Sequence, residues 1–185
     1  NFFLISASIF CRRAFSLYFW ALRSSNITKN KNIYTVIGSG LTGFKIPNKH
    51  IDCGNSGTLA RILIGAIGGS EIFVTLTGDS SLRKRPMNRV IKPLKKMGIN
   101  FNSSNGLLPL IVHGNSEIMP IKYNSPISSA QVKTSILLAG LNARGTSEII
   151  EPHTSRDHSE NLLKYFGANI KYKSKISGKN KVLIT

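Results

Sequence analysis

Hydrophobic and polar positions along the chain fall into short blocks that predict a strand, a turn and a helix in succession. Phe73–Thr77 is rich in β-branched and aromatic residues, and a Gly-Asp-Ser-Ser run at 78–81 turns the chain after it. Over Asn88–Met97 the apolar residues recur at helical spacing, and Gly98 is suited to end that helix. Pro86 fits the first turn of the same helix, where a missing N–H costs nothing.

A similar block lies upstream, where a predicted strand end at 51–53 leads into a turn of Gly, Asn and Ser and then an apolar helix. Because Gly54 and Gly57 have no Cβ, the backbone of this turn can approach a ligand at the helix N-terminus. By itself the turn is a weak signal that fits an ordinary helix cap, and the Gly-Lys-Ser/Thr of a P-loop is absent.

The same blocks recur after Tyr123, which predicts an internal duplication. Three residues at the end of the second helix match at an offset of 69 residues, namely Leu94 with Leu163, Met97 with Phe166 and Gly98 with Gly167. A period of about 70 residues suits a βαβαββ unit, with two helices packed on a mixed four-stranded sheet. The predicted fold class is therefore α/β (α+β), with repeated units at about 34–123 and 124–185.

Residues 1–33 do not follow this pattern. They contain the only Trp and an apolar run that Arg12-Arg13 interrupts before it reaches the roughly 18 residues of a membrane span. We interpret them as a leader of transit-peptide type or as residues translated out of frame. The globular part is expected to begin with Tyr34–Ile37, paired with the segment 44–46.

The charge of the chain indicates anionic partners. It carries 25 Lys and Arg against 8 Asp and Glu, a formal net charge of +17 at pH 7. Nucleic acid, a membrane surface and phosphorylated small molecules all fit such a charge. The two cysteines and four histidines show neither a disulfide framework nor a metal-ligand spacing.

Three of these cations lie where an anion can bind. Arg83, Lys84 and Arg85 come at or just before a predicted helix N-terminus, where backbone N–H groups and the helix dipole favour negative charge. The corresponding turn of the second unit contains Arg156. If the units are arranged symmetrically, these turns face one cleft suited to a small polyanion, although a basic run alone also fits a solvated surface turn.

Four motifs occur in a fixed order along the globular part: GNSGT with Arg61, GDSSL followed by KRPM, SAQVKT followed by LLAGL, and SRDHSE. Together they closely resemble the bacterial 5-enolpyruvylshikimate-3-phosphate (EPSP) synthases, over about residues 34–185. The enolpyruvyl transferases that act on UDP-N-acetylglucosamine share the fold, but their cysteine-bearing loop has no counterpart here.

The resemblance implies most of the first domain of a two-domain, inside-out α/β barrel. It implies transfer of the enolpyruvyl group of phosphoenolpyruvate to the 5-hydroxyl of shikimate 3-phosphate, with release of phosphate and without a metal or cofactor. It further implies a cytoplasmic enzyme, monomeric at full length, with no nucleic-acid or membrane partner. A functional transit peptide would instead direct the protein to a plastid.

Matching motif positions assign six residues to substrate binding. The phosphate of phosphoenolpyruvate is assigned to Gly57 N–H and Arg85, whose guanidinium can bind it bidentately. The 3-phosphate of shikimate is assigned to Ser129, Ser155 and Arg156. The sixth residue is Gln131.

Gln131 is assigned a place between the two substrates, because its amide both donates and accepts. Gly57 predicts sensitivity to glyphosate, a phosphoenolpyruvate mimic that a side chain here would crowd. Neighbouring residues are expected to have structural roles: Arg61 on the helix surface or supporting the cleft, Lys133 on the helix exterior, and Asp157 as a helix cap.

Two features of the family are not found in the chain: its Asp-Lys-Ser-x-Ser-x-Arg motif and the second domain, which carries the acid–base carboxylates. The catalytic residues are therefore unassigned, and the chain alone is expected not to turn over substrate. The alternatives are a nucleic-acid-binding module and a non-catalytic relative. Nearly half of the aromatics, seven of fifteen, lie in residues 1–33, which argues against the first, and the presence of Arg85 and Gln131 argues against the second.

Overall fold

The computed structural model describes residues 3–4, 25–31, 33–38, 43–176 and 179–185. The strands are β1 (Phe3–Leu4), β2 (Ser25–Asn30), β3 (Ile33–Gly38), β4 (Ile51–Asp52), β5 (Phe73–Thr77), β6 (Asn100–Ser103), β7 (Leu110–His113), β8 (Lys122–Asn124), β9 (Ser147–Glu151), β10 (Ile170–Ile176) and β11 (Lys179–Ile184). The helices are α1 (Gly57–Gly68), α2 (Ser80–Arg83), α3 (Asn88–Lys96), α4 (Ala130–Gly140) and α5 (His158–Tyr165).

Two four-stranded sheets share one topology. Their strand orders are β4-β5-β7-β6 and β8-β9-β11-β10. In each sheet the first two strands are parallel and the other neighbours are antiparallel. The parallel pair of each unit is joined through α1 or α4, because parallel strands need a crossover connection. The repeated βαβαββ units predicted from the sequence are confirmed.

The first helices of the two units, α1 and α4, pack closely against each other. A Cβ at Gly65 would lie 2.6 Å from the Cα of Ser135, so only glycine allows this approach. The hydroxyl of Ser135 also donates a hydrogen bond to the carbonyl oxygen of Arg61 at 2.7 Å. Because each helix begins at a polar turn, this packing brings the two turns to the same side of the molecule.

A single apolar core extends through both units. Each fully buried aliphatic side chain contributes about 1.5–3 kcal/mol by leaving water. The largest of these side chains are Ile64, Ile67, Leu76, Leu82, Met87, Leu94, Met97, Ile99, Leu110, Ile136 and Leu137. Cys53 belongs to the same core, and burial, followed by the charge of Asp52, raises the pKa of its thiol to about 12. This thiol is therefore a packing group.

Three predictions differ from the structure or extend beyond it. Strand β3 pairs with β2, and residues 44–46 form no strand, so the predicted pairing of Tyr34–Ile37 is wrong. Spacing alone did not identify which neighbour along the chain pairs with it. Pro86 lies before α3, whose N-cap position is Met87, and not in its first turn. The predicted leader lies mostly outside the described residues and stays a prediction, although β1 and β2 fall within its range.

Candidate functional site

The turn before α1 exposes the N-terminus of that helix. Ser56 is the N-cap residue, and its hydroxyl accepts a hydrogen bond from Leu59 N–H at 3.2 Å. Gly54 has a φ of +54°, in the left-handed region that glycine adopts without steric cost. The helix then starts at Gly57, and the N–H groups of a first helical turn favour an anion.

A chain of polar contacts ties this turn to the loop before α3. The Arg85 guanidinium donates to the Asn55 side-chain oxygen at 2.6 Å and to the Ser81 hydroxyl at 3.1 Å. The Asn55 amide donates in turn to Asp79 at 2.6 Å. Asp79 caps α2 by accepting Leu82 N–H, and this bond, followed by that from Asn55, lowers the pKa of its carboxyl group. Arg85 is thus held beside the start of α1.

Arg61 connects α1, α4 and the loop before α3. This side chain is buried, its Nη1 donates to Gln131 Oε1 at 3.0 Å, and its Nη2 donates to the Pro86 carbonyl at 3.2 Å. Gln131 Nε2 donates to Thr58 Oγ1 at 2.8 Å, so both ends of the amide are fixed. Burial lowers the pKa of Arg61, but a guanidinium remains charged. The expected supporting role of Arg61 fits these contacts.

Ser129 and Ser155 meet at one carboxylate. Glu151, at the end of β9, accepts Ser129 N–H at 2.9 Å and the Ser155 hydroxyl at 2.8 and 3.0 Å. Glu151 was not among the residues predicted from the sequence, although a signal was present. Ser147, Ile149 and Glu151 are the buried positions of β9. The strand period of two therefore places Glu151 toward the core, where a carboxylate needs partners.

The principal partner of Glu151 is a buried lysine. Lys133 Nζ lies 3.2 Å from Glu151 Oε2 and 2.5 Å from Glu160 Oε1. All three side chains are at most 3% exposed. The prediction that Lys133 lies on the helix exterior is therefore wrong. Helix α4 is buried around nearly its whole circumference, and two carboxylates compensate the one cation that it carries inward.

Five of the six residues predicted to bind substrate fall into two groups. The group at the start of α1 is Gly57, Arg85 and Gln131, and the group at Glu151 is Ser129 and Ser155. Because Ser129 and Gln131 are two residues apart at the start of α4, the groups form one polar region. Arg156 is exposed, and within the described residues no hydrogen bond or ion pair joins it to either group.

Asp157 occupies the N-cap position of α5, but its side chain makes no capping hydrogen bond. In the described part of the chain no three metal-ligating side chains come together. The helices described there are all too short or too polar to cross a membrane.

A family model described as EPSP synthase (3-phosphoshikimate 1-carboxyvinyltransferase) matches residues 16–184. Two curated relatives are named 3-phosphoshikimate 1-carboxyvinyltransferase. The protein from Granulibacter bethesdensis is 47% identical over 151 residues, which are 81% of this chain and 33% of the relative. The protein from Acidiphilium cryptum is 51% identical over 143 residues, or 77% of this chain and 32% of the relative.

The fold also matches that of an EPSP synthase. A solved structure of EPSP synthase from Acinetobacter baumannii matches 93% of this chain with a TM-score of 0.85 and 37% identity, over 38% of its own length. The chain spans about a third of the length of the curated relatives. These relatives are bacterial, so the plastid alternative is not borne out. By its sequence and by its fold, the chain belongs to the EPSP synthase family.

Proposed function

We propose that the protein carrying this chain is an EPSP synthase, which transfers the enolpyruvyl group of phosphoenolpyruvate to the 5-hydroxyl of shikimate 3-phosphate and releases phosphate. The observation that supports this best is the polar region, in which Arg61, Arg85 and Gln131 lie together at the starts of α1 and α4. Helix N-termini and fixed cations suit two anionic substrates. In this proposal the enzyme is a cytoplasmic monomer that needs neither metal nor cofactor.

The phosphate of phosphoenolpyruvate is proposed to bind at Gly57 N–H and Arg85. Arg85 is already hydrogen-bonded to Asn55 and Ser81, so it loses little freedom when a ligand binds. Gln131 has one amide orientation, set by two partners, and would present its remaining donor and acceptor capacity between the two substrates.

The 3-phosphate of shikimate is proposed to bind at Ser129, Ser155 and Arg156. Both serines are buried in part and held at Glu151, whereas Arg156 is exposed. An exposed guanidinium can move to contact the 3-phosphate once the shikimate ring is bound. Its planar fork matches two phosphate oxygens. The groups that move protons are not assigned to residues of this chain, so we expect binding by the chain without turnover.

Calorimetric titration of the 185-residue chain with shikimate 3-phosphate tests this proposal. Arg156→Ala removes a charged donor and is expected to weaken binding about tenfold or more. Arg144→Ala is the matched control, because Arg144 is exposed in the turn after α4, at the end of that helix far from Ser129. This control is expected to change the affinity by less than about twofold.

Two binding results would contradict the proposed function. If the chain binds duplex DNA with an affinity that falls steeply with salt, and does not bind shikimate 3-phosphate, it is a nucleic-acid-binding module. Binding of UDP-N-acetylglucosamine in place of shikimate 3-phosphate would instead indicate the related enolpyruvyl transferase.

A further inference from the structure

The proposed phosphate pocket contains a negatively charged group at its base. Glu151 accepts hydrogen bonds from Ser129 and Ser155, the two serines assigned to the 3-phosphate. A carboxylate that shares its donors with a phosphate repels it, and the repulsion is strong because Glu151 is buried, where charges are poorly screened. An anion can bind here only if the charge of Glu151 is offset.

Lys133 is placed to offset that charge. Its ammonium group contacts Glu151 from α4, and Glu160 holds the same ammonium group from α5. We call Lys133, Glu151 and Glu160 the buried ion cluster. It joins α4, the end of β9 and α5, which are the elements that flank both serines.

We propose that Lys133 is a positioning residue of the phosphate pocket. Its ammonium group offsets part of the charge of Glu151, since Glu160 shares the same group. Glu151 can then hold Ser129 and Ser155 in place with less repulsion of the phosphate. This inference rests on the proposed function and adds to it a residue that does not contact the ligand.

The hydroxyl of Ser155 must change its hydrogen-bond partner when a phosphate binds. It has one proton, which is directed at Glu151. Donation to a phosphate oxygen requires this hydroxyl to rotate, after which Glu151 keeps Ser129 N–H and Lys133 as donors. Without Lys133 the carboxylate would compete for the serine proton and repel the incoming phosphate.

Two ligands that differ only in the 3-phosphate separate this role from a structural one. We would measure the dissociation constants of shikimate 3-phosphate and of shikimate for the unaltered chain and for Lys133→Met. Loss of Lys133 is expected to weaken shikimate 3-phosphate about tenfold or more, because an uncompensated buried charge then faces the phosphate. Shikimate, which lacks the phosphate, is expected to change by less than about twofold.

The matched control is Lys181→Met. Lys181 pairs with Glu148 on the same strand β9, and its side chain is half-buried. Glu148 is three positions before Glu151, on the opposite face of β9, and its ion pairs are with Lys122 and Lys181. This variant removes an ion pair of β9 away from the pocket, so both ligands should keep their affinities within about twofold.

A second comparison keeps the test decisive if Lys133→Met alone does not fold. Lys133→Met/Glu160→Gln leaves Glu151 as the charged member of the cluster, and adding Glu151→Gln makes all three residues neutral. Neutral replacement of a buried ion cluster can preserve folding. The triple variant should bind shikimate 3-phosphate about tenfold more tightly than the double variant, because the neutral amide introduced by Glu151→Gln can still accept Ser129 N–H without repelling phosphate.

The outcomes are distinct. Equal losses for shikimate and shikimate 3-phosphate, or a triple variant no better than the double variant, overturn the inference and leave the proposed function standing. Absence of shikimate 3-phosphate binding by the unaltered chain overturns the proposed function, and the inference with it.

Discussion

At the residue scale, the missing side chain of Gly57 determines where Arg61 can lie. A Cβ at Gly57 would be 2.9 Å from Arg61 Nη1 and 3.5 Å from Leu82 Cδ1. The same Nη1 donates to Gln131, the residue proposed to lie between the substrates. A methyl group at position 57 therefore acts on the site through the arginine beside it as well as by occupying ligand space.

Gly57→Ala is expected to lower the free energy of unfolding by about 1 kcal/mol. Alanine gains up to about 1 kcal/mol in helix propensity, but displacement of Arg61 removes a charge-assisted hydrogen bond worth about 1.5–3 kcal/mol. Urea denaturation of the 185-residue chain measures the difference.

The control for Gly57→Ala is the same substitution in an Arg61→Met background. Methionine has no guanidinium to displace, so there the alanine should be neutral or stabilising. If Gly57→Ala also stabilises the unaltered chain, the contact with Arg61 does not set the requirement for glycine.

At the element scale, the site depends on how closely α1 and α4 approach. Gly65 faces the backbone of Ser135, and that contact is one helical turn from Arg61 on α1 and from Gln131 on α4. Backbone atoms cannot turn aside as a flexible side chain can. The packing of the two helices therefore sets the length of the hydrogen bond between Arg61 and Gln131.

Gly65→Ala is expected to destabilise the fold by about 3 kcal/mol, the upper end of ordinary overpacking, because the new methyl group must force the helices apart. It should also weaken shikimate 3-phosphate binding, since Ser129 and Gln131 move with α4. Gly68→Ala on the same helix is the comparison, because its Cβ would meet the flexible end of Ile99. Unfolding and titration should rank Gly68→Ala as the milder change, and the reverse order would contradict this packing.

At the scale of the whole molecule, the net charge of +17 has two effects of opposite sign. Like charges repel in the compact state and lower its stability, while the same field attracts anionic ligands. The proposed anionic substrates account for a basic site. They do not require the exposed lysines of α3, Lys92, Lys95 and Lys96, which add to the self-repulsion.

Salt should separate these two effects. Raising KCl from about 0.05 M to about 0.5 M shortens the screening length from roughly 14 Å to roughly 4 Å. The free energy of unfolding is expected to rise, and the affinity for shikimate 3-phosphate to fall. In a Lys92→Gln/Lys95→Gln/Lys96→Gln variant the gain in stability should be smaller. A stability that falls with salt would show that attractive ion pairs outweigh the repulsion.

Features that depend on residues near one another in the chain were predictable from the sequence. Turn composition placed the polar turn before Gly57, and helical periodicity placed α3 within a residue of its observed end. The offset between Leu94 and Leu163 revealed the duplicated unit, because each unit repeats the same local signals. Ordered motifs were sufficient for the family, since they combine many such local constraints.

Contacts between residues far apart in the chain follow from how the helices and strands pack. Arg61 and Gln131 are 70 positions apart, and they form a hydrogen bond because α1 and α4 pack closely at Gly65. Lys133 is polar and was expected outside, yet it is buried between carboxylates contributed by β9 and α5. Charge pairing across elements has no periodicity along the chain, so no local pattern encodes it. The buried ion cluster became visible only when the strand and both helices were in place.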